Sequence, residues 1–199
     1  MIRPSSLAVF LALGFSFGPG NAVSVENSAT AIFAGGCFWC IEADMEKLPG
    51  VIAAESGYTA GKKLNPTYEQ VSAGGTGHTE AIRVTYDPAK VNYSQLVEYF
   101  WRHIDPTVKD KQFCDSGSQY RSGIYWQNDD ERKVAESSRD TLLANGKFKT
   151  IHTEIVAATK FYPAEDYHQD YYKKNPIRYT YYRQGCGRDQ RVEELWGKK

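Results

Sequence analysis

The chain has 199 residues, 41% hydrophobic and 24% charged, which is enough to close one sizeable core. Its 24 basic and 24 acidic residues cancel, so no basic field points to nucleic acid or to an anionic membrane surface. Fourteen tyrosines and four tryptophans suit a pocket that must hold a neutral, partly polar group.

Arg3 supplies a positive start, residues 7–17 are apolar, and Gly20-Asn21-Ala22 offers small residues for cleavage. The apolar run is shorter than the roughly 20 residues a spanning helix needs. Residues 1–22 are therefore expected to be a secretory signal, residues 23–29 a polar lead-in, and residues 30–199 one domain. The expected location is exported, periplasmic or secreted, with no membrane attachment once the signal is removed.

Ala31-Ile32-Phe33-Ala34 reads as a buried strand. Gly35-Gly36 makes a tight turn, and a helix over 37–47 stops at Pro49-Gly50. A strand over 51–56 precedes a Gly/Asn/Pro loop over 57–67 and a polar loop over 74–78. Residues 81–86 alternate like a strand and end at Asp87-Pro88. Asn92 or Ser94 caps a helix over 95–103, with Leu96, Val97, Phe100 and Trp101 at helical spacing. A strand over 122–126, a charged helix over 129–144 and a strand over 153–158 follow. A helix over 164–174 is expected to end at Asn175-Pro176, and residues 188–195 form a short helix or drape over the domain. The β-α-β-β-α-β order predicts an α+β fold, a two-layer ferredoxin-like (split βαβ) plait with additions. A thioredoxin-like order is the competitor, because it also presents Cys-x-x-Cys where a strand enters a helix.

Gly35-Gly36-Cys37-Phe38-Trp39-Cys40 carries the strongest chemical signal. A cysteine in the first turn of a helix sits among unpaired N–H groups, which can pull its pKa from ~8.5 into the range ~3.5–7.5. Cys40, one turn on, is a disulfide partner in reach. With Cys114 and Cys186 the count is even, which in an oxidising compartment suggests structural bridges. A mature domain of this size needs no such staples, so a reactive pair at Cys37 is the stronger reading. A zinc site would want a second closely spaced ligand pair, and His152 and His168 are too scattered to form one.

Three turn-rich segments complete the pattern: Asn65-Pro66-Thr67-Tyr68-Glu69-Gln70-Val71, Gly77-His78-Thr79-Glu80-Ala81, and Gln112-Phe113-Cys114-Asp115-Ser116-Gly117-Ser118-Gln119-Tyr120-Arg121-Ser122. With Ala164-Glu165-Asp166-Tyr167-His168-Gln169 and Cys186-Gly187-Arg188-Asp189, in this order, they resemble the peptide methionine sulfoxide reductase A family over nearly the whole mature chain. The resemblance implies reduction of the S epimer of methionine sulfoxide, free or in proteins. Cys37 is then the nucleophile that becomes a sulfenic acid, and Glu80 the acid. Tyr68 and Tyr120 donate to the sulfoxide oxygen, Phe38 and Trp39 cradle the S-methyl group, and Asp115 lies near the substrate backbone. His78 shapes the turn before Glu80, while His168 and Asp166 belong to a family motif without an assigned role. The tyrosines from Tyr162 to Tyr182 are packing. No metal and no organic cofactor are implied, only an external thioredoxin-like dithiol, and a monomer is expected. Family members differ in the thiol that resolves the sulfenic acid. Cys40 and Cys186 are both candidates; the first adjoins Cys37, and the second lies in a glycine-flanked C-terminal segment.

Overall fold

The last five residues of β1 (Ala29–Gly35) are all buried, as the middle strand of a covered sheet requires. In the computed structural model, which describes residues 27–198, β1 lies antiparallel between β3 (Thr79–Tyr86) and β6 (Ser122–Trp126). Phe33 is opposite Ile82 on one side and Ile124 on the other. The signal expected over residues 1–22, and most of the polar lead-in, lie outside the described residues. β2 (Val51–Thr59) pairs with β3 and sets Tyr58 opposite Glu80, with a register shift between Val51 and Ala53. β7 (Glu154–Ala157) adds in parallel to β6, and β8 (Tyr162–Pro163) adds to the free edge of β2. The sheet order is β7-β6-β1-β3-β2-β8, and a separate hairpin joins β4 (Lys111–Gln112) to β5 (Asp115–Ser116).

Alternation along β1 sends Phe33 to one face and Ile32 and Ala34 to the other. Phe33 packs in the main core with Ile41 and Met45 of α1 (Phe38–Met45), and with Leu96 and Phe100 of α3 (Tyr93–Trp101). Ala135 of α4 (Asp129–Ala144) joins the same core. Ile32, Ala34, Ala81 and Tyr125 form a smaller cluster on the opposite face, with Phe161 against it. Local signals explain the helix starts. Asn92 accepts from Gln95 N–H while the Gln95 side chain accepts from Asn92 N–H, a reciprocal cap. Asn128 caps α4, whose first turn carries Asp129, Asp130 and Glu131 against the helix dipole.

Two expectations fail for a shared reason. β2 runs on to Thr59 where a loop was expected from residue 57, because β8 pairs with Gly57 and Tyr58. A Cβ on Gly57 would fall 2.3 Å from the Phe161 ring, so the close approach needs glycine. The helix expected over 164–174 is irregular until α5 (Tyr171–Lys174). Its side chains bond elsewhere: the Gln169 amide takes both the N–H and the C=O of Ser56, at 2.8 and 2.9 Å, and so extends the edge of β2. Pro176, expected to end a helix, instead opens α6 (Pro176–Gly185), where its missing N–H costs nothing. α7 (Arg188–Trp196) follows, and α2 (Tyr68–Ser72) fills part of the long loop region.

Candidate active site

The turn between β1 and α1 is dictated by Gly36, with φ at +81° and no room for a Cβ, which would meet Gln112 Cβ at 2.5 Å. Cys37 is the cap residue of α1, and its carbonyl accepts from Cys40 N–H at 3.1 Å. The first free N–H of the helix, that of Phe38, goes to Glu80 Oε2 at 3.0 Å rather than to the thiol. The helix terminus therefore supports a carboxyl group. This corrects the expected low pKa of Cys37. Burial pushes its thiol well up, and Cys40 and Glu80 beside it add to the effect. Cys40 is the thiol moved down, first by the hydrogen bond from Cys37 and then by the guanidinium groups of Arg188 and Arg183.

Cys37 opens into a pocket of about 260 Å³ lined by Phe38, Trp39, Tyr68, Glu80, Asp115, Tyr120 and Tyr182. Burial lifts the Glu80 carboxyl to about 8, with the Phe38 N–H holding it back in part, so at neutral pH it carries a proton it can give away. Tyr68 is raised to about 12 by burial, and Tyr120 is raised as well, so both remain neutral phenol donors. Their placement is built from neighbouring groups. Glu165 accepts from Tyr68 N–H at 2.9 Å and from Tyr58 O–H at 2.8 Å, which ties the start of α2 to β2. Thr79 Oγ1 donates toward the carbonyls of Gln119 and Arg121, each at 3.1 Å, and so sets the turn carrying Tyr120 beside Glu80. His78, buried, binds the Lys63 carbonyl through Nε2 at 2.7 Å and anchors the loop that leads into Glu80.

Trp39 is fixed on both sides. Its indole N–H donates to His168 Nδ1 at 2.9 Å, and its ring stacks on Tyr171 with centroids 3.8 Å apart and planes 7° apart. Accepting at Nδ1 leaves the proton of neutral His168 on Nε2, and burial keeps that ring below its usual pKa. Phe38 is 1% exposed and lies against Tyr58, Tyr68 and His168, so it serves both core and pocket.

The last wall comes from the C-terminal third. Tyr182 O–H donates to Asp115 Oδ2 at 2.6 Å, and the residue lines the same pocket as Cys37. Cys186, a candidate resolving thiol, is joined to Cys114 in a disulfide, while Cys37 and Cys40 are free. The thiol available next to Cys37 is therefore Cys40. Buried Arg188 secures the turn by donating to the carbonyls of Gly35 and His103, at 3.0 and 2.9 Å. Among the described residues, two clusters bring three ligand-type atoms within 4.8 Å, but both are committed. In one, Cys114 and Cys186 are bonded to each other beside Asp115. In the other, Lys173 lies 2.6 Å from Glu46 and 2.7 Å from Asp170, next to Glu42.

The structure thus brings together all seven pocket residues picked from the sequence: Cys37, Phe38, Trp39, Tyr68, Glu80, Asp115 and Tyr120. It adds Tyr182, which had been assigned to packing. Glu165, Thr79 and Arg188 act behind the wall through long-range hydrogen bonds that are visible only once the chain is folded.

Two free, buried thiols at one helix start, beside a buried carboxyl lifted to about 8, suit sulfur redox chemistry. Comparison with known proteins narrows the class. The family model described as peptide methionine sulfoxide reductase matches residues 29–199. Peptide methionine sulfoxide reductase MsrA of Bacillus licheniformis is 49% identical over 175 residues, 87% of this chain and 97% of that protein. The MsrA/MsrB protein of Vibrio cholerae is 52% identical over 172 residues, 86% of this chain, which spans only 46% of that longer protein. Among solved structures, methionine sulfoxide reductase A of Corynebacterium diphtheriae matches with a TM-score of 0.68 and 33% identity, over 80% of this chain and 84% of that one. Mxr1 of Saccharomyces cerevisiae in reduced form matches with a TM-score of 0.71 and 30% identity, over 76% and 87%. The chain belongs to the peptide methionine sulfoxide reductase A family, and it is an oxidoreductase.

Proposed function

We propose that the protein reduces the S epimer of methionine sulfoxide, free or peptide-bound, through a sulfenic acid on Cys37 and a Cys37–Cys40 disulfide. The observation that carries this is one aromatic pocket in which Cys37 faces a carboxyl, Glu80, lifted to about 8. Sulfoxide sulfur is electrophilic, but oxide leaves only when its oxygen is protonated. Glu80 supplies that proton, and the phenols of Tyr68 and Tyr120 donate to the same oxygen. The S-methyl group lies against Phe38 and Trp39. The Cys37 sulfur attacks, the oxygen passes to it as S–OH, and methionine leaves. Cys40 then attacks the sulfenic sulfur, water departs, and the Cys37–Cys40 disulfide remains. An external dithiol reduces that disulfide by exchange.

A thioredoxin-like protein suits this last role; Mxr1 of Saccharomyces cerevisiae has been solved in complex with Trx2. The signal-like N-terminus, together with a Cys114–Cys186 disulfide beside the site, supports an exported enzyme that repairs oxidised proteins outside the cytoplasm, and the reading takes it to act as a monomer. The same reading takes residues 30–199 as the catalytic domain. It takes the fold as a two-layer ferredoxin-like plait, supported by the central strand order β6-β1-β3-β2.

The test is dithiol-dependent reduction of separated S and R epimers of a blocked methionine sulfoxide, beside the Cys37→Ser variant. Turnover of the S epimer alone, abolished by the substitution, is expected. Turnover of neither epimer by the reduced protein overturns the proposal.

A further inference from the structure

Trp39 lines the pocket but is only half-buried, so enclosure alone does not fix its indole. Two contacts from one segment do. The indole N–H donates to His168 Nδ1 at 2.9 Å, and the ring lies flat on Tyr171, three residues further along the chain. The imidazole also meets the rings of Phe38 and Tyr68, with centroids 5.0 and 4.3 Å away. It thus backs three of the rings that line the cavity. We propose that His168 is a positioning residue that makes the enzyme selective for an S-methyl group, because its Nδ1 holds the Trp39 indole where a methyl fits and a longer alkyl group does not. The inference rests on the reading that the substrate is methionine sulfoxide, with its S-methyl group against Phe38 and Trp39.

The hydrogen bonding of His168 favours a dedicated role over simple packing. Its other ring nitrogen, Nε2, is buried and has no hydrogen-bond partner. A buried N–H left unpaired costs free energy. Phenylalanine would fill the same space without that cost, but it offers the indole no acceptor. The residue that stands here leaves one nitrogen unpaired and sets the other on Trp39.

The backbone around His168 is tied down on both sides. Glu165, whose carbonyl accepts from the His168 N–H at 2.8 Å, takes the Tyr68 N–H and the Tyr58 O–H on its carboxylate. Gln169, the next residue, grips the N–H and the C=O of Ser56. Tyr58 and Ser56 both lie on β2, so His168 is fixed to the sheet and does not follow the indole if Trp39 turns. Trp39 in turn follows Cys37 by two residues and lines the same pocket. Releasing its N–H lets the ring swing, and the wall beside the reacting sulfur widens. One methylene in a fitted apolar pocket is worth about 10–200-fold in rate, which is the range that such a loosening puts at stake.

The experiment compares His168→Phe, which keeps a ring and removes the acceptor, with His168→Asn, which keeps an acceptor near the Nδ1 position. For each full-length protein, reduction of the S epimer of blocked methionine sulfoxide is measured beside the matching epimer of blocked ethionine sulfoxide. NMR follows the indole N–H signals of the four tryptophans. The unsubstituted protein is predicted to prefer the S-methyl substrate by about tenfold or more in kcat/KM. His168→Phe loses most of that preference, chiefly through a higher KM for the methyl substrate. Its Trp39 indole signal shifts, while those of Trp101, Trp126 and Trp196 stay in place and report an intact fold. His168→Asn retains most of the preference. In a Trp39→Phe background, with no indole N–H to hold, His168→Phe leaves the remaining preference nearly unchanged. The proposal is overturned by an unchanged preference in His168→Phe, by an equal loss in His168→Asn, or by an equal loss in the Trp39→Phe background. Equal use of both substrates by the unsubstituted protein overturns it too. His168→Leu replaces the Phe variant if the control signals show misfolding. Absence of all turnover by the unsubstituted protein strikes the functional reading itself, whereas turnover without the predicted selectivity strikes this inference alone.

Discussion

Glu80 concentrates the chemistry of this protein in one hydrogen bond. The Phe38 N–H that a helix start leaves unpaired is spent on its carboxyl group, at 3.0 Å, while burial keeps the proton on up to about pH 8. Glu80→Gln preserves shape but removes the acid. Sulfoxide reduction is predicted to fall by about 10²-fold or more, in the range of general-acid contributions. Exchange of the Cys37–Cys40 disulfide with a small dithiol changes little, and stopped-flow rates for the two reactions check the contrast. The sign of the pH effect follows. In the proposed mechanism reduction requires protonated Glu80, so the single-turnover rate is predicted to decline as pH rises through about 8, and the Gln variant to lack that limb. Tyr182 shows where residue-level reading runs out. It stands in a run of tyrosines with nothing local to distinguish it, and only folding brings its hydroxyl to Asp115 in the pocket that Cys37 lines.

At the scale of elements, the division between legible and illegible is one of range. The strand at Ser122–Trp126, the helix at Asp129–Ala144 and the Asn92 cap were readable because alternation, charge and capping act within a few residues. The stretch 164–170 was misread as helix because Glu165, His168 and Gln169 bond to Tyr68, Trp39 and Ser56, about a hundred residues away. The Cys37 thiol was misjudged for the same reason, since Glu80 takes the N–H that local reasoning gave to sulfur. Glu42 belongs to the same long-range latch. It sits on α1, accepts from the Asp170 N–H at 2.6 Å, and is hydrogen-bonded to Ser56 on β2. Burial lifts its carboxyl from the ordinary 4.5 to about 7. The folded state therefore holds a proton on Glu42 that the unfolded chain releases above 4.5. This contribution to stability is fully present below 4.5 and is lost as pH rises through about 7. Urea midpoints measured across that window are predicted to fall with rising pH, and Glu42→Gln flattens the decline.

The whole molecule joins a core of sheet and α1, which supplies Glu80 from β3 and Cys37, Phe38 and Trp39 from the helix start, to a C-terminal segment that supplies Tyr182 and Arg188. The Cys114–Cys186 disulfide, closing 72 residues, fastens that segment to the hairpin carrying Asp115. Replacing both cysteines by serine is predicted to cost about 2–4 kcal/mol, a fall in Tm of roughly 10 °C by calorimetry. Cys37 and Cys40 remain free to turn over, so the doubly substituted protein still reduces sulfoxide. The central claim is that Cys37 takes the oxygen from the substrate. The most direct test is a single turnover of the Cys40→Ser variant with one equivalent of the S-sulfoxide, in the absence of added dithiol. One methionine per protein, and a sulfenic acid trapped by a dimedone-type reagent on the Cys37 peptide, is the predicted result. No methionine, or the oxygen found on a residue other than Cys37, would contradict it.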